Sequence, residues 1–325
     1  MWPIIGHQWA VELLTRSIEA ERLSHAYLFS GPPQVGKTML VRAFAQAIQC
    51  QDEDVPCGHC RSCLLIGQDK HPDVHVIVPE NNRIKIEMIR DMQRSVALSP
   101  VEGRYRICLI SRADLATPSA SNALLKTLEE PPPKVILLLT ADRAEALLST
   151  IISRCQVLPL RLLPTEQIVT ALCARGLSME KAQLLGHLAR GRVGWAIAAS
   201  EDKQVLAGRN RVLEEVTQVA EGSHIARFAW AQKWSSRPEQ IPHVLEIMGS
   251  WWRDVLLLAS GSTSAIANID HSSKLSEWAS RYGVAEAQKA LRGVQYTAWR
   301  IEHNANLRLA LEVLMLDMPG GARTT

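Results

Sequence analysis

Residues Gly31-Pro32-Pro33-Gln34-Val35-Gly36-Lys37-Thr38 satisfy the pattern G-x-x-x-x-G-K-[ST] at every fixed position. Few short motifs constrain a fold so tightly. The loop works only between a strand and a helix, where glycines let the backbone curl and its N–H groups face phosphate oxygens. The flanks here meet that demand: residues 26–30 read as a short apolar strand and 37–48 as a helix. In such a loop the lysine reaches the β- and γ-phosphates and the hydroxyl ligates magnesium. Gly31, Gly36, Lys37 and Thr38 are therefore the candidate nucleotide-binding residues, with ATP the expected ligand. A relic loop that keeps its shape and binds nothing is the competing reading.

Hydrolysis needs more than a cradle. A carboxylate at the end of a neighbouring strand must hold the metal, and an adjacent acid can orient the attacking water. The strand at 107–110 ends instead in Ser111 and Arg112. Serine carries no charge, and an arginine there opposes the metal. Asp114 is the nearest carboxylate, and it helps only if the chain doubles back. The expectation is a chain without its own ATPase activity.

Five apolar strands, at 26–30, 74–78, 106–110, 135–140 and 155–160, alternate with helical patterns at 37–48, 84–96, 119–130 and 143–150. That alternation predicts an α/β fold, a parallel sheet covered on both faces. No convincing strand follows. Helical periodicity runs through 166–175, 179–190 and 191–199, then onward from about 208 with polar breaks near 235–237, 261–264 and 270–273. Trp230, Trp234, Trp251, Trp252, Trp278 and Trp299 lie in this last stretch and are expected to be core or helix-contact residues.

Cys50, Cys57, Cys60 and Cys63 give C-x6-C-x2-C-x2-C. Four thiolates so close together can close a tetrahedral shell around Zn2+, and such a shell leaves no position for a substrate water. A structural zinc module at 50–63 is expected. Cys50 is the least secure ligand because it ends a helix, with His59 and His71 as substitutes. Cys108, Cys155 and Cys173 sit in apolar contexts and read as buried thiols. Seven cysteines without a secretory leader suit a reducing, cytoplasmic setting. No apolar run is long enough to span a membrane. A net charge of +3 argues against a dedicated nucleic-acid-binding module.

Taken together, the motifs resemble the bacterial clamp-loader subunits of the AAA+ class. The resemblance rests on Ile5-Gly6-His7-Gln8, on His25 to Phe29 entering the loop, and on Asn122-Ala123-Leu124-Leu125-Lys126-Thr127-Leu128-Glu129-Glu130-Pro131-Pro132. Ser153-Arg154-Cys155 and the stretch 304–312 carry it further. It implies three domains: an AAA+ nucleotide-binding fold with zinc insert at 1–160, a small helical lid at 161–207 and a helical collar at 208–325. It implies partners too: gamma/tau-type motor subunits and a delta subunit and, through the complex, the sliding clamp and primer-template DNA. Read alone, Arg154 caps a helix or pairs with a local acid. Under the resemblance it matches the arginine finger donated to a neighbour's ATP. Ser111-Arg112 and Gly194, which stands at the second-sensor arginine position, depart from the motor subunits. The implied role is a stator that helps load the clamp, within the DNA polymerase III holoenzyme. The alternative is an active gamma/tau-like motor ATPase.

Overall fold

The structure, a computed structural model, describes residues 2–262 and 266–320. They separate into two compact units. Among the described residues, one comprises 2–171 and 191–195, the other 172–190, 196–262 and 266–320. The polar break expected at 261–264 falls partly outside the described residues.

The first unit opens with helix α1 (Gln8–Glu19), followed by strand β1 (Ala26–Ser30), the glycine loop and α2 (Lys37–Gln49). Then come α3 (Arg61–Gly67), β2 (Val74–Ile77), α4 (Ile86–Val96), β3 (Arg106–Ile110) and α5 (Pro118–Glu129). β4 (Val135–Ala141), the short α6 (Ser149–Ile152) and β5 (Gln156–Pro159) complete the sheet. Strand order is β2-β3-β4-β1-β5, and every pairing is parallel. β1 thus lies between β4 and β5, with the loop at its carboxyl end, where open α/β sheets place ligands.

The continuous apolar strands follow from double-sided burial. Ala26 and Leu28 enter one core with Cys108, Ile110, Leu137 and Leu139. Tyr27 and Phe29 enter the other with Ile107, Leu109, Ile136 and Leu138. Alternate side chains point to opposite faces, so a strand covered on both sides must be apolar throughout. Among polar groups, buried Asp73 accepts N–H bonds from Val101, Glu102 and Gly103. Burial alone would raise its pKa, but those donors and Arg106 outweigh it and hold the carboxyl below the usual range.

The helix expected at 143–150 is broken. A 3-10 turn at Ala144–Ala146 gives way to extended Leu147 and Leu148 before α6 begins. The chain there buries Leu147 and Ile151 in the sheet's core instead of continuing one helix.

The remaining helices are α7 (Thr165–Ala174), α8 (Met179–Ala189), α9 (Val193–Glu201), α10 (Lys203–Glu221), α11 (His224–Ser235), α12 (Ile241–Ala259), α13 (Ser272–Glu302) and α14 (Leu307–Asp317). α10 runs unbroken through 207–208. Within the second unit, Trp230, Trp234, Trp251, Trp252 and Trp278 are buried in one core. Trp251 and Trp278 meet edge to face with centroids 5.5 Å apart. Trp299 is the exception to the expected burial: it is exposed, and its indole stacks between Tyr296 and His303 on the helix surface. Helical spacing alone could not exclude it from the core. Buried Arg227 donates to the carbonyls of Ala220, Met315, Met318 and Pro319, so it satisfies backbone acceptors at the ends of α10 and α14.

Candidate functional site

The phosphate loop has the expected strand–loop–helix context. Gly31 sits at φ +148°, and an added Cβ would come within 2.3 Å of the Leu160 carbonyl oxygen, so only glycine fits between β1 and β5. Gly36 precedes the first turn of α2, and Lys37 and Thr38 open the helix. Thr38 is exposed, whereas Lys37 is buried.

The charge of Lys37 is already committed. Its Nζ donates to the Gly31 carbonyl at 2.6 Å, the Pro32 carbonyl at 2.8 Å and Asp142 Oδ1 at 2.9 Å. Asp142 follows β4 directly, and its other oxygen lies 3.2 Å from Arg112 Nη2. The same Arg112 nitrogen lies 3.1 Å from Asp114 Oδ2. Arg112 adopts a left-handed conformation after β3, with its N–H donating to Thr140 Oγ1, and this turn brings Asp114 back toward the sheet. The doubling back that Asp114 required does occur. Asp114 is nevertheless engaged by Arg112 and accepts the Asp142 N–H. Lys37, Asp142, Arg112 and Asp114 form one connected ion network beside the phosphate loop.

Two further contacts hold the loop. His7 Nε2 lies 3.0 Å from the Val35 carbonyl oxygen. Burial lowers the His7 pKa, outweighing this bond to a carbonyl, which raises it. The Gly194 N–H donates to the Gln34 carbonyl at 2.8 Å. A Cβ at Gly194 would come 2.9 Å from that oxygen, so the close backbone contact favours glycine there. The glycines hold the turn that the motif requires, but its principal cation is held by protein groups.

Arg154 lies elsewhere on the first unit, just beyond α6. Nη1 donates to the Thr150 carbonyl at 3.0 Å, and Nη2 pairs with Glu129 Oε1 at 2.9 Å. The helix cap anticipated for this arginine is present, and its acid partner, Glu129, comes from α5 and not from its own segment. Its side chain nonetheless keeps 36% of its surface exposed, against 7% for Lys37.

The four cysteines converge. Cys50 follows the last residue of α2, Cys60 caps α3, and Cys63 lies in its first turn. All four Sγ atoms lie within 4.8 Å of one another. The Cys50–Cys60 and Cys57–Cys63 sulfur pairs are both 4.0 Å apart. Tetrahedral Zn–S bonds of about 2.3 Å require sulfur separations of roughly 3.8 Å, so the residues fit a zinc ion. The Cys60 N–H points at Cys57 Sγ, and the Cys63 N–H at Cys60 Sγ. Burial opposes the Cys60 thiolate, but the Cys63 N–H and the neighbouring thiols outweigh it and bring its pKa down to about 7. Cys50 belongs to the group, and neither histidine replaces it: His59 clusters with Asp52 and Cys57, and His71 Nδ1 accepts the Asp73 N–H. Bound zinc would tie the end of α2 to α3, with no coordination position left for catalysis. Burial raises the Cys108 thiol to about 12 and the Cys155 thiol to about 11, but of the three cysteines expected to be buried only Cys108 is fully so, with Cys155 and Cys173 half-buried.

Sequence reasoning passed over Asp142 and Glu129. Asp142 had one readable signal, a carboxylate directly after an apolar strand, at the carboxyl edge of a parallel sheet. Glu129 had none, because its partner is set by tertiary packing.

A family model described as DNA polymerase III, delta subunit, matches residues 6–164. A second, described as DNA polymerase III, delta subunit, C terminal, matches residues 203–319. The chain is 29% identical over 315 residues to the DNA polymerase III subunit delta' of Bacillus subtilis, covering 96% of this chain and 95% of that one. The delta' subunit of Haemophilus influenzae is 38% identical over 167 residues, 51% of each chain. The tau subunit of Escherichia coli is 36% identical over 167 residues, 51% of this chain and 26% of the longer tau. Among solved structures, a DNA polymerase III gamma subunit-related protein from Thermotoga maritima shares the fold, with a TM-score of 0.52 at 18% identity over 94% of this chain and 97% of that one. With matches running from the glycine loop to the last helices, the chain belongs to the delta' family of DNA polymerase III clamp-loader subunits.

Proposed function

We propose that this chain is the non-hydrolysing stator of a replicative clamp loader, and that it donates Arg154 to the ATP held by an adjacent gamma/tau-type motor subunit. The observation that carries the reading is the contrast between its two cationic centres. The Lys37 charge is consumed internally, and Ser111 and Arg112 stand where metal-binding acids are required. Arg154 keeps an exposed edge that can meet a phosphate from outside the chain. A guanidinium suits that role through its fixed charge and several in-plane donors.

In this reading residues 1–160 form the AAA+ base, 161–207 a lid and 208–325 the collar that joins motor and delta subunits. The complex acts in the cytoplasm on the sliding clamp and primer-template DNA. Zn2+ held by Cys50, Cys57, Cys60 and Cys63 stabilises the base. The motor reading draws on the 36% identity to tau over the first half, but the ion network at Arg112 and Asp142 speaks against it.

The test is a reconstituted loader carrying Arg154→Ala. Clamp- and DNA-stimulated ATP hydrolysis at the site facing this chain is expected to fall steeply. An unchanged rate would remove the finger role. ATP turnover by the pure chain, lost on Lys37→Ala, would favour the motor alternative.

A further inference from the structure

We infer that Asp142 is a built-in anionic occupant of the phosphate loop, and that the resting chain excludes nucleoside triphosphate by keeping Lys37 bound to it. This rests on the same Lys37–Asp142 pair that supports the non-hydrolysing reading, and goes beyond it by assigning what the loop admits.

The argument begins with a count of donors. A lysine ammonium has three N–H groups. All three of Lys37 have acceptors: the Gly31 and Pro32 carbonyls and Asp142 Oδ1. None is left for a phosphate oxygen. Asp142 cannot drift away easily, because Arg112 holds its second oxygen and Asp114 holds Arg112. Two cations face two carboxylates, so the network is internally neutral. A triphosphate entering the loop meets the Asp142 carboxylate where it needs a free cation. Ser111 and Arg112 also offer no carboxylate to anchor a magnesium ion that arrives with the triphosphate.

The rest of the loop is tied from other sides. The Gln34 carbonyl is taken by the Gly194 N–H, and the Val35 carbonyl by His7. Gln34 itself holds a left-handed conformation, at φ 61°. The loop therefore keeps the shape of a phosphate cradle by protein contacts alone. Its lysine acts as an internal strut between β1, the loop and the end of β4.

The test is equilibrium titration of the full-length chain with a fluorescent ATP analogue and magnesium, with thermal unfolding as the check on folding. Wild type is expected to bind weakly. Asp142→Asn keeps the shape and removes the charge, and is expected to tighten binding about tenfold by raising the fraction of chains with a free Lys37. Lys37→Ala in the Asp142→Asn background is expected to cancel the gain. Arg112→Gln leaves Asp142 to Lys37 alone and is expected to give no gain. If Asp142→Asn does not fold, Asp142→Ser takes its place. Low-micromolar binding by wild type, or a gain that survives Lys37→Ala, would overturn the inference. Either result leaves the finger role untouched, since that is read from ATP hydrolysis by the assembled loader.

Discussion

Lys37 and Arg154 sit in the same unit, carry the same charge and have opposite fates. Lys37 is buried, its three donors are satisfied and its counter-ion is fixed by a second arginine. Arg154 makes two contacts, one to a carbonyl and one to an exposed glutamate, and keeps an open edge. A buried, fully paired charge contributes to architecture, because separating it leaves an uncompensated ion. An exposed charge in a weak pair can change partners at little cost. Within one unit, the cation of the phosphate loop is thus locked in place while a cation outside the loop stays accessible.

The largest effect that could break this comparison is at Arg154. An arginine finger is worth about 10³ to 10⁵ in rate. Arg154→Lys keeps the charge but loses the planar fork, so single-site turnover in a reconstituted loader is expected to stay near the Arg154→Ala level. Full rescue by lysine would mean that charge alone suffices.

The zinc module offers the next test, since α2 carries Lys37 at one end and is followed by Cys50 at the other. Cys57→Ser, or a strong chelator, is expected to remove bound zinc as measured by elemental analysis and to lower the thermal midpoint by several degrees. The loop, about 20 Å along the helix, is expected to keep its nucleotide affinity. A parallel change in affinity would show that the two ends are coupled.

Glu129→Ala sharpens the comparison from the other side. An exposed ion pair contributes about 0.2–1 kcal/mol. Stability by denaturant titration is expected to shift no more than that, and loader ATPase to change by no more than about fivefold. A much larger fall would make Glu129 a positioning residue for Arg154.

The smallest effect is pH dependence. His7, which precedes α1 and contacts the loop, and His71 are both depressed by burial below the ordinary histidine value of 6.5. A group with a lowered folded pKa binds fewer protons when folded. Its stabilising contribution is therefore complete above pH 6.5 and is lost as pH falls from there through the folded value. The slope is at most about 1.4 kcal/mol per pH unit for each histidine. His7→Gln is expected to flatten that decline in urea midpoints between pH 7 and 5. An unchanged slope would place the protonation elsewhere.

Much of the fold was legible in the residues because it is carried by local patterns. The five strands declare themselves by apolar runs such as Val135–Ala141, which only double-sided burial can satisfy. The four-cysteine group is legible because its members are close in sequence and loop closure over so few residues is easy. The broken helix after Arg143 and the exposed Trp299 were not. In each, composition fits either outcome, and the surrounding packing selects one. Asp142 and Glu129 escaped for a related reason: each acts through a partner distant in the chain, Lys37 in one case and Arg154 in the other.

The amino-acid sequence by itself determined the parallel α/β sheet, the glycine loop between β1 and α2, the four-cysteine group and the loss of the acids after β3. These depend on residue type, spacing and periodicity, and nearby residues suffice to enforce them. Only the tertiary structure decided what the two cationic centres can do. It brought β4 beside β1 so that Asp142 reaches Lys37, and it left Arg154 at the surface with one weak partner. Electrostatic availability depends on burial and on which opposite charge arrives within hydrogen-bond reach, and that is a property of the folded arrangement.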